Sequence, residues 1–226
     1  MVLHRPVEPA GIIGSWDFRP GQLPTTTFQD LALIWQVPSA AVDSHYEYRL
    51  AYAALFYEDL SPCWYFAHSS GAEEENLKAV GWLAWDHPYK RRKVRLPEQR
   101  FGQLLRLLVA PWEPSHFMGH HECELCPVQA DRLETFDERH RIERDGLVVD
   151  FGATNLFVPG EGCVYVAPSM IVHYVDSHNY EPPTAFWQAV MKCPEMGSEA
   201  YKEALVVNGP SSEGWARAVQ DGSCYC

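Results

Sequence analysis

Four residues in the second half of the chain have the chemistry of a metal site. Cys123 and Cys126, in the run Cys-Glu-Leu-Cys, have the spacing of a zinc knuckle, where one tight turn offers two thiolates to one ion. His173 and His178 follow at the end of a predicted helix and can add two imidazoles. Zinc in a closed structural site takes four soft or borderline donors in a tetrahedron, and this set supplies them. The His-x4-His spacing falls in the range such sites use. On an ideal helix a five-residue step turns through about 500°, leaving the two side chains about 140° apart. Both can face one ion only if the last helical turn unwinds. The 46 residues between Cys126 and His173 far exceed the roughly 12 of a DNA-reading finger, so a staple inside a larger fold is expected.

Other uses of the same residues stay open at this level. A Cys-x-x-Cys is also the spacing of a redox pair, and a histidine near a helix end can be a core residue or a cap. His120 and His121 stand directly before Glu122-Cys123, and either could replace His178 as the fourth ligand. With only three protein ligands the open position would hold water, and Glu122 or Glu124 could act as general base of a zinc-dependent hydrolase. A zinc deaminase is disfavoured, because here His-x-Glu and Cys-x-x-Cys are fused and no proline precedes Cys123. The common serine-hydrolase, phosphate-loop and His-Glu-x-x-His signatures are absent.

The elements that must carry these residues are read from periodicity and punctuation. Phe101, Leu104, Leu105 and Leu108 recur at i, i+3, i+4 and i+7 between Pro97 and Pro111, which predicts a helix with one core face. Asn155–Val158 and Cys163–Val166 flank Pro159-Gly160-Glu161-Gly162, the pattern of a four-residue hairpin turn. Ser169 to His178 reads as a helix with Pro168 at its start and Asn179 suited to a left-handed cap. Pro182-Pro183-Thr184 opens another, ended by Pro194, and short helices are expected over 199–207 and 213–220. Ala79 to Asp86 predicts a strand, and Glu58-Asp59-Leu60-Ser61-Pro62 a turn. Phe28 to Val37 and Tyr46 to Tyr57 could each be strand or helix. Residues 127–150 carry a charge-mixed sequence that reads as an exposed insertion. The proline- and glycine-rich residues 1 to about 25 suggest a tail pinned by Trp16 and Phe18.

Composition narrows the function classes. The 226 residues include 30 acidic and 18 basic side chains, a formal charge of −12, which disfavours a broad footprint for nucleic acid. Lys90-Arg91-Arg92-Lys93-Val94-Arg95 is the local exception. It could bind an anion, or the phosphate backbone of a nucleic acid, through Arg91, Arg92 and Lys93, or be a solvated loop, the latter favoured since no aromatic platform is interleaved to stack bases. No apolar run nears the roughly 18 residues of a membrane helix, and Met1–Pro6 lacks the apolar stretch of a signal peptide, so a cytoplasmic protein is expected. Seven cysteines, an odd number, fit a reducing compartment better than a disulfide framework. Cys63, Cys163 and Cys193 sit singly among aromatic or apolar neighbours and read as buried hydrophobes, whereas Cys224-Tyr225-Cys226 is ambiguous.

Several motifs together resemble a family of uncharacterised bacterial proteins, a conserved domain of unknown function. They are Tyr57-Glu58-Asp59-Leu60-Ser61-Pro62, Val80-Gly81-Trp82-Leu83, His120-His121-Glu122-Cys123-Glu124-Leu125-Cys126 and Val164-Tyr165-Val166-Ala167-Pro168. The block His173-Tyr174-Val175-x-x-His178-x-Tyr180-x-Pro182-Pro183-x-x-Phe186 completes them, and the resemblance spans about 57–195. It implies a cytosolic domain in which these cysteines and histidines meet, and no activity. The chain departs from that pattern in its N-terminal extension, the charged insertion and the C-terminal helices.

The expected fold is therefore α+β, a small and mostly antiparallel sheet with packed helices, stapled by zinc through Cys123, Cys126, His173 and His178. Residues 1–56 are expected to be an extension packing on the body, 57–195 the zinc-binding domain and 196–226 a helical extension. The expected role is an accessory module with a protein partner, the aromatic surface around Trp82, Trp85 and Trp187 being its candidate face.

Overall fold

The computed structural model describes residues 56–63, 76–116, 121–126, 140–222 and 224–225. These fall in the second of two units, residues 43–226. The expected hairpin lies at their centre. Strands β5 (Asn155–Pro159) and β6 (Val164–Pro168) pair antiparallel, with the Gly160 amide donating to the Cys163 carbonyl at 2.8 Å across the turn. Strand β1 (Leu77–Ala79) adds to the other edge of β6, in parallel. The β-branched and aromatic content of Val164-Tyr165-Val166 suits a central strand buried on both faces, and every residue of β6 is buried.

Two short ribbons stand apart from this sheet. Strands β3 (Arg141–Arg144) and β4 (Leu147–Asp150) form an antiparallel hairpin, and β2 (Ser115–His116) pairs in parallel with β7 (Cys224–Tyr225). The longer pairings, five residue pairs in β5–β6 and four in β3–β4, are antiparallel. With its helices the fold is α+β and its strands are mostly antiparallel, as expected.

Period-two alternation divides the core between the faces of the sheet. Leu156, Val158, Tyr165 and Ala167 pack with helices α1 (Glu98–Val109), α2 (Ile171–Ser177) and α3 (Thr184–Lys192). Phe157, Val164, Val166, Leu77 and Ala79 pack with Tyr201 and Leu205 of α4 (Glu199–Asn208) and Trp215 and Val219 of α5 (Glu213–Asp221). Two buried polar side chains in the second layer find carbonyl acceptors: the Tyr201 hydroxyl donates to the Phe157 carbonyl at 2.7 Å and the Trp215 indole to the Leu205 carbonyl at 3.0 Å. Ser198 and Ser212 cap α4 and α5 through their hydroxyls, which accept from the amides of Tyr201 and Trp215.

Three expectations change. The strand predicted over Ala79–Asp86 ends at Ala79, because Gly81 turns the chain at φ +74° and gives its amide to the Asp59 carboxylate instead of a neighbouring strand. Trp82, Leu83 and Ala84 stay buried without being strand. Within the segment read as an exposed insertion, residues 141–150 are a hairpin, largely on the surface but tied to the core. Asp145 and Gly146, both at positive φ, close the β3–β4 hairpin, Val149 is buried, and Ile142 and Leu147 pack on the core. Residues 127–139 lie outside the described residues, as do Phe28 to Val37, Trp16 and Phe18. Finally, the three tryptophans do not form one face. Trp82 is core and donates to the Val166 carbonyl at 3.0 Å, Trp187 is 1% exposed, and Trp85 alone of the three is exposed, at 50%.

Candidate metal centre

The two histidines reach one point because α2 stops between them. His173 is in the helix, whereas His178 is its C-cap, at φ −107° and ψ 5°, and Asn179 takes the left-handed conformation at φ 55°. The unwinding required by the five-residue step is therefore present, and asparagine tolerates the position that closes it. The Tyr174 carbonyl accepts both the His178 amide at 3.2 Å and the Tyr180 amide at 3.0 Å, which fixes the turn. The His173 ring stacks on Phe151, centroids 5.5 Å apart and planes at 19°.

The basic segment fastens this turn from outside. Lys90 accepts the Glu181 amide at 2.9 Å, and the Arg92 amide donates to the Asn179 carbonyl at 2.7 Å. The Arg92 Nη2 donates to the Val175 carbonyl at 3.0 Å and to Asn179 Oδ1 at 3.3 Å, so a guanidinium holds the carbonyl end of α2. Arg91 lies over the Tyr89 ring at 5.0 Å, and Lys93 is exposed. Of the three basic residues expected to bind an anion, Arg92 thus turns inward to a helix end while the other two lie elsewhere.

The knuckle is brought up by its flanks. The His121 amide donates to the Gly152 carbonyl at 2.7 Å, and Gly152 takes φ +101° with no room for a side chain, since a Cβ would stand 3.0 Å from the His121 carbonyl oxygen. Cys123 and Leu125 pack against the core, and the Trp85 amide donates to the Glu124 carboxylate at 3.3 Å. Cys123 Sγ then lies 3.2 Å from His178 Nε2, and Cys126 Sγ lies 3.2 Å from His173 Nε2 and 3.3 Å from His178 Nε2. The two Nε2 atoms are 3.2 Å apart. All four donor atoms lie within 4.8 Å of one another, and all four residues are half-buried. A tetrahedron with metal–sulfur bonds of about 2.3 Å and metal–nitrogen bonds of about 2.0 Å needs roughly 3.6 Å between S and N and 3.3 Å between the nitrogens. The arrangement matches that scale and can coordinate a metal ion.

Electrostatics favour it. Cys126 is held well below the usual thiol range, first by the hydrogen bond shared with Cys123 and then by His173, while the same shared bond and burial push Cys123 up. One proton between two sulfurs is what a cation displaces on binding. His121 stands outside this group of donors. Its Nε2 pairs with the buried Tyr174 hydroxyl at 3.0 Å, and burial, then the nearby His140, lower it to about 4, so it is neutral near pH 7. In this arrangement His178, and not His121, is the histidine beside Cys123 and Cys126; His120 lies outside the described residues. Glu122 is exposed.

A family model described as a domain of unknown function, DUF7919, matches residues 55–191, more than half of the chain and all four donors. The chain belongs to that family. No curated protein and no solved structure matches it. Within the DUF7919 region, sequence reasoning missed the residues that orient the donors. Asp59 is one: its carboxylate accepts the Tyr180 hydroxyl at 2.6 Å and the Gly81 amide at 3.0 Å, tying the Glu58–Pro62 turn to the chain just after His178. Burial raises its pKa above the usual carboxylate value. The motif Glu-Asp-Leu-Ser-Pro signalled a turn, but nothing local pointed to a partner 121 residues away.

Proposed function

We propose that Cys123, Cys126, His173 and His178 hold one zinc ion as a structural staple and that the protein acts as an accessory or interaction module in a reducing, cytoplasmic compartment. The carrying observation is the convergence of four donors, from a knuckle and a helix end, within 4.8 Å. Two thiolates and two imidazoles are the donor set zinc prefers in closed sites. A four-donor shell leaves no position for an activated water, so no observation favours the hydrolase reading with Glu122 as base. Among the described residues Cys63, Cys163 and Cys193, which lie outside the proposed staple, carry no disulfide, in keeping with a reducing compartment. Among the described residues no helix is long and apolar enough to cross a membrane. A protein partner fits an exposed Trp85 whose backbone is fixed by Glu124 of the knuckle.

Elemental analysis of reduced, untagged protein tests the staple. One zinc per chain is expected, lost in both Cys123→Ser and His173→Ala. Structural zinc contributes on the order of 10 kcal/mol to folding, so both variants should also lose cooperative unfolding. Wild-type protein that folds cooperatively without metal would contradict the proposal.

A further inference from the structure

The two sulfurs that supply half of the proposed shell are also placed to react with each other. Cys123 and Cys126 flank one turn, share a hydrogen bond and keep their Sγ atoms within 4.8 Å. A disulfide closes that separation to about 2.05 Å, and Cys-x-x-Cys is the spacing at which redox disulfides form. Both residues are half-buried rather than sealed in the core, and a thiol with a second thiol beside it is the arrangement that oxidises reversibly.

The other cysteines among the described residues are held back. Cys63 is fully buried, burial keeps the Cys163 thiol above the usual range, and burial pushes that of Cys193 up to about 12. Thiols kept protonated are poor nucleophiles, so oxidation is directed to the knuckle. Its effect on the staple follows from donor chemistry. A thiolate binds a metal ion through its charge, and a disulfide sulfur has none. Oxidation would leave only the imidazoles of His173 and His178, half of a four-donor shell.

We propose that Cys123 and Cys126 form a peroxide-operated redox switch: oxidation joins them as a disulfide, expels the zinc ion and opens the staple, and thiol reductants restore it. The inference rests on the staple reading and adds its regulation. One thiolate attacks the O–O bond of the peroxide, forming an S–O bond and expelling hydroxide. The second thiolate attacks that sulfur; the S–S bond forms, the S–O bond breaks and a second hydroxide leaves. The two sulfurs together give up two electrons, and the two hydroxides take up protons to become water. The knuckle and the redox pair, two uses of Cys-x-x-Cys, are then two states of one site.

The test exposes full-length, reduced protein of measured zinc content to hydrogen peroxide, with a chromogenic chelator reporting released metal. Mass spectrometry of alkylated peptides locates the oxidised cysteines. One zinc released per Cys123–Cys126 disulfide is expected, together with loss of cooperative thermal unfolding. Dithiothreitol and added zinc should restore the metal content and the unfolding transition. The double variant Cys163→Ser, Cys193→Ser should release zinc at the wild-type rate, and if it fails to fold, the peptide map of the wild type decides alone. Metal retained in excess peroxide, release slowed in the double variant, disulfides to other cysteines, or sulfinic acid in place of a disulfide would each overturn the switch and leave the staple standing. Protein that folds without zinc before any oxidant is added would instead fail the staple reading itself.

Discussion

Asp59 carries more of the site's geometry than its place in a turn motif suggests. Through one oxygen it holds the Gly81 amide and the Tyr180 hydroxyl, two residues beyond His178. Asp59→Ala leaves both donors without their acceptor, each costing about 1–3 kcal/mol, so a loss of about 2–6 kcal/mol is expected in denaturant unfolding. Asp59→Asn keeps an acceptor and should be far milder. The pair also gives a pH signature. Burial raises the folded-state pKa above 3.8, so the penalty for the ionised form is absent below that value and complete above the raised pKa. Wild type should therefore lose stability relative to Asp59→Asn as pH rises from about 4 through that pKa. A difference that is flat, or that shrinks with pH, would contradict the assignment. At this scale the convergence of two thiols and two imidazoles was legible because such residues at knuckle and helix-end spacing have few other joint uses. Arg92, Tyr174 and Asp59 were not, because their partners lie 53 to 121 residues away and only the fold supplies them.

Elements show the same division between local and non-local causes. The hairpin β5–β6 and helices α1, α3, α4 and α5 follow from periodicity, prolines and serine caps, all of which act within a few residues. The strand at 79–86 was misread because Gly81 looks like a tolerated strand glycine until its amide is seen to bind Asp59. That glycine yields a direct test. Its φ of +74° lies in the left-handed region, and a Cβ there would stand 3.0 Å from Ile171 Cγ1, in the first turn of α2. Gly81→Ala is expected to cost about 1–3 kcal/mol, from backbone strain plus the displaced Ile171. Gly102→Ala, in α1 with open space around its Cβ position, should instead be neutral or stabilising by about 0.5–1 kcal/mol. Thermal unfolding of the two variants side by side decides the point, and equal shifts would refute it. The β3–β4 hairpin carried an Asp-Gly signal that outranked its charge content, since these two residues suit the type I′ turn, which needs positive φ at both central positions.

At the scale of the molecule, the sheet separates two packed layers and the Cys2His2 cluster belongs to one of them. His173 and His178 lie at the end of α2, whose buried Ile171, Val172, Tyr174 and Val175 pack with α1 and α3, and Cys123 and Leu125 join the same cluster. The match to DUF7919 ends at residue 191, yet Tyr201, Leu205, Trp215 and Val219 beyond it complete the opposite layer. The α+β class was legible from the order of elements. The placing of layers was not, because it depends on which face of β6 each helix covers. The closed four-donor shell proposed for Cys123, Cys126, His173 and His178 is measured directly by zinc-edge X-ray absorption of the reduced, as-purified protein. Two sulfurs at about 2.3 Å and two nitrogens at about 2.0 Å are predicted. A shell containing an oxygen ligand in place of one of the four, or protein that is folded with no zinc to measure, would contradict it.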